Sequence, residues 1–447
     1  MIRDLNRFAE TDYILAASGY RMSHPSRDRL VELRRELHRR PEPAWREFWT
    51  TARIVDELQS LDVDEIRVGP EVLAGDQRIA VPDDEELDRW YRRAEEAGAN
   101  PETLEQLRGG YTGAMATVEA GSGPTVGLRV DIDGLPRAES TDEDHVPVRK
   151  GFRSENEGAM HACGHDAHAT IGLGVVEAVA NSDFEGTLKV FFQPAEETIG
   201  GGKAMAESGL LDDIDYLLAL HIGLDHPTGE VVAGVEGFLA VHQFRADFSG
   251  EPAHAGGHPA AGRNAVQAMA AAVQNLYAIP RHEDGATRVN AGTVGGGSAT
   301  NVVPEDAHIE GEVRGETTAL MKYMRDRAEA VFDGAAAMHD CEVDVTPMGE
   351  APGAESDDAV VDVVETIAER TDGVDHVLRR ADLGGSEDAT FLMRRVQEHG
   401  GKAAYVGVGT DHPGGHHTAT FDVDEDSLPV GVEVLSETIR TLARDRP

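Results

Sequence analysis

Three short runs of this chain, at 188–192, 216–220 and 403–408, are almost continuously apolar rather than alternating. A strand that is apolar on both sides must be covered on both sides, so each run is expected as a buried strand with helices above and below. Amphipathic stretches between the runs supply those helices, one after Asp166, one after Gly202 and a closing one near 427–442. This pattern predicts an α/β sandwich with a mostly parallel central sheet. Two further strands are expected at 113–119 and 125–131, joined by the turn-forming AGSGP. Upstream, apolar residues recur at three and four between Ser26 and Gln59 and break at Pro41 and Pro43, which fits two helices. The polar stretch from Val81 to Gly110 is helical in composition but poor in apolar residues, and is read as a surface insertion.

Between 237 and 348 the style changes. Strands near 241–248 and 307–314 alternate in polarity and are accompanied by helices near 263–278 and 317–338. Half-exposed strands with helices on one face predict a small α+β unit, ferredoxin-like in plan. After Gly349 the first style resumes. The expected organisation is a catalytic α/β domain in two parts, 1–236 and 349–447, interrupted by an inserted lid or dimerisation domain at 237–348. A length of 447 residues suits two or three such folding units.

Composition narrows the partners. The chain carries 82 Asp and Glu against 41 Lys and Arg, a net charge of −41, so duplex nucleic acid and anionic membranes would be repelled. Lysine occurs only at 150, 189, 203, 322 and 402. An acidic coat with so few lysines is expected of a halophilic source, where molar salt screens self-repulsion to about 3 Å. The two cysteines, Cys163 and Cys341, are too few for a disulfide scaffold. The first 25 residues mix charged and apolar positions without the apolar core of a signal peptide, and no window approaches the roughly 18 apolar residues of a membrane span. The cytoplasm is the expected compartment.

The densest chemical signal is MHACGHDAHAT, residues 160–170. Gly164 between Cys163 and His165 lets a turn aim a thiolate and an imidazole at one point, and both ligate zinc or a similar divalent ion well. Taken alone, the segment could equally be a buried cysteine beside a His-rich helix cap, with Asp166 as the cap. In LKVFFQPAEE a buried strand ends in two adjacent carboxylates, Glu196 and Glu197. Ligands of open α/β sheets gather at the carboxyl ends of strands. Adjacent carboxylates on an extended chain point apart, so one can hold a metal while the other holds a water. His221 ends another buried strand, and His416 and His417 lie in a Gly-rich loop after the strand at 403–408. One Cys, one Glu and three His on one rim exceed a single tetrahedral site and suit a pair of ions with a bridging ligand.

The ordered series RVDIDGLP, MHACGHDAH, QPAEE, ALHIG, EPAHAG, NVVP, VRG, GSEDAT and GHHTATFDVDE resembles the M20 metallopeptidase family, in the amidohydrolase branch that acts on N-acyl amino acids. The resemblance runs in collinear order over nearly the whole chain. It implies two divalent ions, Zn2+ or Mn2+, held by Cys163, His165, Glu197, His221 and His417, with the cysteine bridging. It also implies Glu196 as general base and Asp133 as an acidic residue supporting the site. Asp131 stands where a related branch has a metal-binding histidine, and is expected outside the ligand set. His254 matches a histidine that reaches an active site across a dimer and stabilises the oxyanion. Asn301 and Arg314 match substrate binders, although Arg314 alone reads equally as a strand salt bridge. Ser386 and Glu387 fall in a family motif that carries no assigned role. The implied reaction is cleavage of an N-acyl or N-aroyl amino acid, a small-molecule substrate, by a homodimer or by a heteromer with a homologous chain. An acylase or dipeptidase with another acyl group is the alternative.

Overall fold

The apolar runs form the middle of an eight-stranded sheet in a computed structural model that describes residues 24–445. The expectation that residues 1–25 lack a signal sequence therefore falls almost wholly outside the described residues. The strands are β1 (Glu65–Val68), β2 (Ala114–Ala120), β3 (Thr125–Asp131), β4 (Gly186–Gln193), β5 (Tyr216–Ile222) and β6 (Glu230–Val232), followed by His376–Leu378 and Lys402–Val408. Across the sheet they lie in the order β1, β2, β4, β3, β5, Lys402–Val408, β6, His376–Leu378. The central four, β4, β3, β5 and Lys402–Val408, run parallel, whereas β2 on one side and β6 on the other run against them.

Alternation along β4 shows why its end, from Val190 to Phe192, is apolar without a break. Val190 and Phe192 pack with the helices α1 (Arg27–His38) and α2 (Phe48–Gln59) and with His165–Ala180 and Ser427–Asp445, while Phe191 faces Met205, Leu392 and Met393 on the other side. Truncating either face, as in Phe192→Ala, removes a fully buried ring and costs roughly 3–5 kcal/mol.

Four antiparallel strands make the smaller sheet, in the order Thr287–Gly296, Asp306–Gly315, Ala240–Ser249, Glu342–Ala351. With helices Ala265–Tyr277 and Thr318–Met338 packed on one face around Phe244, Phe248, Ile309 and Phe332, this is the ferredoxin-like βαββαβ plan. Its two outer strands were not among those expected from sequence. Thr287–Gly296 is glycine-rich and largely exposed, and Glu342–Ala351 carries Pro347 at a register shift, features that edge strands tolerate and that blur the pattern. The last strand runs to Ala351, past the boundary expected at 348.

The stretch 81–110 requires a correction. Helices α3 (Asp84–Glu96) and α4 (Pro101–Gln106), capped by Asp83 and Asn100, bury Leu87, Ala94 and Leu104, and with Leu107 these join the main core against α2. One apolar residue per turn is enough to dock a helix whose other faces are charged. The segment is part of the core rather than a surface addition.

Candidate metal centre

The carboxyl ends of the parallel strands bring the expected ligands to one rim. Gly164, in the left-handed conformation at φ +86°, separates Cys163 from His165, which opens helix His165–Ala180. His221 stands one residue before the end of β5, Glu197 follows β4, and His417 sits in the loop after Lys402–Val408. Cys163 Sγ lies 3.7 Å from His221 Nε2 and 3.5 Å from His417 Nε2. Glu197 reaches His417 Nε2 at 3.6 Å and His165 Nε2 at 3.9 Å. The donor atoms fall into two trios that share the thiol, Cys163 with His165 and His221, and Cys163 with Glu197 and His417, each trio within 4.8 Å.

The rings are turned for binding. His165 Nδ1 faces the Asp133 carbonyl at 3.0 Å and the Asp133 carboxylate at 3.2 Å, and His221 Nδ1 faces the Ile222 carbonyl at 2.7 Å. Each Nδ1 therefore carries the proton, leaving the lone pair on Nε2, which points into the cluster. His165 Nε2 and Glu197 Oε1 are buried without a hydrogen-bond partner. Orphaned buried polar atoms are costly, and a divalent ion between them would satisfy both. On chemistry and placement the residues fit a pair of metal ions.

His168 is the same tautomer, but its Nε2 lone pair is already taken. Its Nε2 accepts from the Ile222 N–H at 2.8 Å, so Nδ1 holds the proton and donates to Asp131. Asp131 also pairs with the buried Arg129 at 2.7 Å. Both residues are committed to partners of their own, and they fix the ends of β3 and β5 beneath the ligands.

Negative charge is in excess here. Burial, with Glu387 and Asp388 adding, pushes the Glu196 carboxyl well above the usual range, and burial pushes Glu197 up to about 8 against the pull of His165. Burial, followed by Glu197 and Glu196, also pushes the Cys163 thiol up. A divalent cation reverses each of these shifts by favouring the charged form.

The turn that presents Glu196 and Glu197 is held at both ends by buried carboxylates. Ala195 sits at φ +57°, and its N–H donates to Glu47 at 2.8 Å while the Thr112 hydroxyl donates to the other Glu47 oxygen at 2.7 Å. Asp388 accepts from Gln193 Nε2 at 2.7 Å and from the Gly202 N–H at 2.7 Å. Asp133 accepts from the Glu197 N–H at 3.0 Å. Sequence reading missed Glu47, Arg129, His168 and Asp388, since no local spacing marks them.

The structure leaves His254, Asn301 and Arg314 outside the cluster. His254 is exposed, its Nδ1 accepting from the Gly256 and Gly257 N–H groups at 3.1 and 3.0 Å. Asn301, also exposed, lies beside it on the short ribbon that pairs Val302 with His254. Arg314 is paired through two nitrogens with Glu312, the strand salt bridge, and its third reaches the Ser386 hydroxyl at 3.3 Å. Glu387 is buried and accepts from the Tyr405 hydroxyl at 3.0 Å.

Comparison with known proteins identifies the family. Residues 127–441 match the family described as peptidase family M20/M25/M40. The chain is 42% identical to indole-3-acetyl-aspartic acid hydrolase of Enterobacter agglomerans over 92% of its own length and 94% of the relative's. It is 41% identical to one of the subunits of p-aminobenzoyl-glutamate hydrolase from Escherichia coli K12, over 92% and 95%. The crystal structure of the aminobenzoyl-glutamate utilization protein of Klebsiella pneumoniae superposes with a TM-score of 0.81 at 36% identity, covering 93% of this chain and 96% of that one. A dinuclear metal binding peptidase of Bacillus subtilis shares the fold at 22% identity and a TM-score of 0.65. The chain is thus a hydrolase that belongs to the M20 peptidase family.

Proposed function

We propose that this protein hydrolyses the amide bond of an N-acyl or N-aroyl amino acid of the p-aminobenzoyl-glutamate kind, releasing the carboxylic acid and the amino acid, in the cytoplasm. The observation that carries the reading is the pair of ligand trios meeting at Cys163 with Glu196 alongside. Zinc or manganese held by Cys163, His165, Glu197, His221 and His417 would supply Lewis acidity for the carbonyl and for water. Glu196, adjacent to the ligand Glu197 but free of that duty, takes the proton from water and returns it to the leaving amine. Asp133 positions His165 and Glu197 together. Arg314 is placed to exchange Glu312 for the substrate carboxylate, which a guanidinium can grip through two nitrogens.

His254 has no contact with the cluster in its own chain, and its Nε2 is free of protein partners among the described residues. This favours an assembly in which a second chain, identical or homologous, supplies the histidine that steadies the oxyanion. The test is turnover by the purified chain alone in concentrated KCl, with zinc, manganese or chelator, on p-aminobenzoyl-glutamate, indole-3-acetyl-aspartate and simple N-acyl amino acids. Metal-dependent cleavage of an aroyl-glutamate is expected. Cleavage of simple acyl amino acids alone would discard the substrate, and metal-loaded chain without turnover would show that a partner chain is required.

A further inference from the structure

His416, next to the expected ligand His417, lies as close to the thiol as the ligands do, with Nδ1 at 3.4 Å from Cys163 Sγ. Its other nitrogen decides its role. Nε2 accepts the Leu224 N–H at 3.0 Å, so its lone pair is used and the ring proton resides on Nδ1. A nitrogen bearing a proton has no lone pair for a metal. His165 and His221 show the reverse arrangement, each with an outer nitrogen facing a carbonyl and an inner lone pair.

We propose that His416 donates an N–H···S hydrogen bond to the Cys163 thiolate, positioning that sulfur and weakening the electron donation it would make to bound metal. This rests on the two-ion reading above. The surroundings are built for the ring in this pose. Phe421 lies at 4.8 Å between ring centroids, His412 at 4.9 Å and His221 at 5.4 Å. Gly223, at φ +85°, passes so near that a Cβ there would stand 2.7 Å from His416 Nε2. The next two residues, Leu224 and Asp225, are held at φ +52° and +62°. Non-glycine residues persist in that region only where neighbours over-determine them, and here the conformation aims the Leu224 N–H at the imidazole. A thiolate shared by the two trios would serve two cations at once, and a hydrogen bond lowers the energy of its lone pairs without adding charge to an already acidic site.

The experiment uses the full chain reconstituted with Co2+, reading metal content together with the thiolate-to-cobalt charge-transfer band in the near ultraviolet. Wild type is expected to show a band that Cys163→Ser abolishes. His416→Leu should keep two cobalt ions per chain and move the band to lower energy, while His416→Gln, whose amide still donates, should restore it toward wild type. An unmoved band in a fully loaded His416→Leu, or loss of one cobalt from it, overturns the proposal. Absence of any Cys163-dependent band in wild type instead sinks the two-ion reading beneath it. Should His416→Leu not fold, the ring-nitrogen shifts of 15N-histidine wild type loaded with zinc, assigned with His416→Gln, decide the matter. The Nδ1-protonated tautomer is expected, and a metal-bound Nδ1 refutes it.

Discussion

Glu196 and Glu197 are covalent neighbours in different surroundings, since Ala195 turns the chain between strand and carboxylates and Asp133 pins only the second, and the proposed function gives them separate tasks. Glu196→Gln should therefore retain two metal ions per chain by elemental analysis while kcat falls by about 10²–10⁴. A variant that stays active removes Glu196 from the role of base. Arg314 makes a different prediction. Lysine cannot reproduce its two-nitrogen grip, so Arg314→Lys should raise KM by roughly tenfold or more with kcat little changed. If KM is unaltered in steady-state kinetics, Arg314 is only the partner of Glu312. The residues that the structure gathers into the cluster were legible in the sequence, since Cys163 and His165 flank a glycine, His221 ends an apolar strand, Glu197 and His417 lie in loops that follow such strands, and the series of motifs was collinear. Their supports were not. Arg129 meets Asp388 across 259 positions, and Glu47 meets Ala195 across 148, so no window of sequence contains both halves of either contact.

Among the elements, the turn after β4 and helix α1 carry the most consequence. Glu47→Ala leaves the Ala195 N–H and the Thr112 hydroxyl without their buried acceptor, which should cost on the order of 2–3 kcal/mol in denaturant unfolding and lower kcat. Glu47→Gln keeps an acceptor and should recover most of both. Helix α1 places His38 between Asp166 and Glu139, at 2.8 and 3.0 Å, with Arg34 at 3.2 Å, the His161 ring nearby and His145 sharing Glu139. Burial and Arg34 work against the charged ring, but Asp166 and Glu139 overcome them and hold His38 up at about 9. A raised folded pKa stabilises fully below the unfolded value near 6.5 and loses that contribution as pH climbs to about 9. The thermal midpoint of the metal-loaded protein should thus fall across this window, and His38→Asn should flatten the fall. The middle of the main sheet was readable because buried parallel strands announce themselves by nearly unbroken apolar runs, whereas the short strands β1, β6 and His376–Leu378 at its flanks give no such run and were not expected. The outer strands of the small sheet were hidden because edges tolerate glycine, proline and charge.

For the molecule as a whole, the net charge of −41 has to be accommodated by one folded surface. Raising KCl from dilute to molar should increase the thermal midpoint and shift the light-scattering mass from monomer toward dimer, as self-repulsion is screened. A dimeric mass that persists in dilute buffer contradicts this. The sheet order carries another consequence. Lys402–Val408 lies in the interior of the large sheet, between β5 and β6, yet it follows both in the chain with the whole of the smaller sheet in between, and His417 comes after it. Until that strand arrives, the nascent chain presents the flank of β5 as an open edge and holds an incomplete set of ligands. A chain stopped before residue 402 would lack His417 and leave the flank of β5 exposed and adhesive.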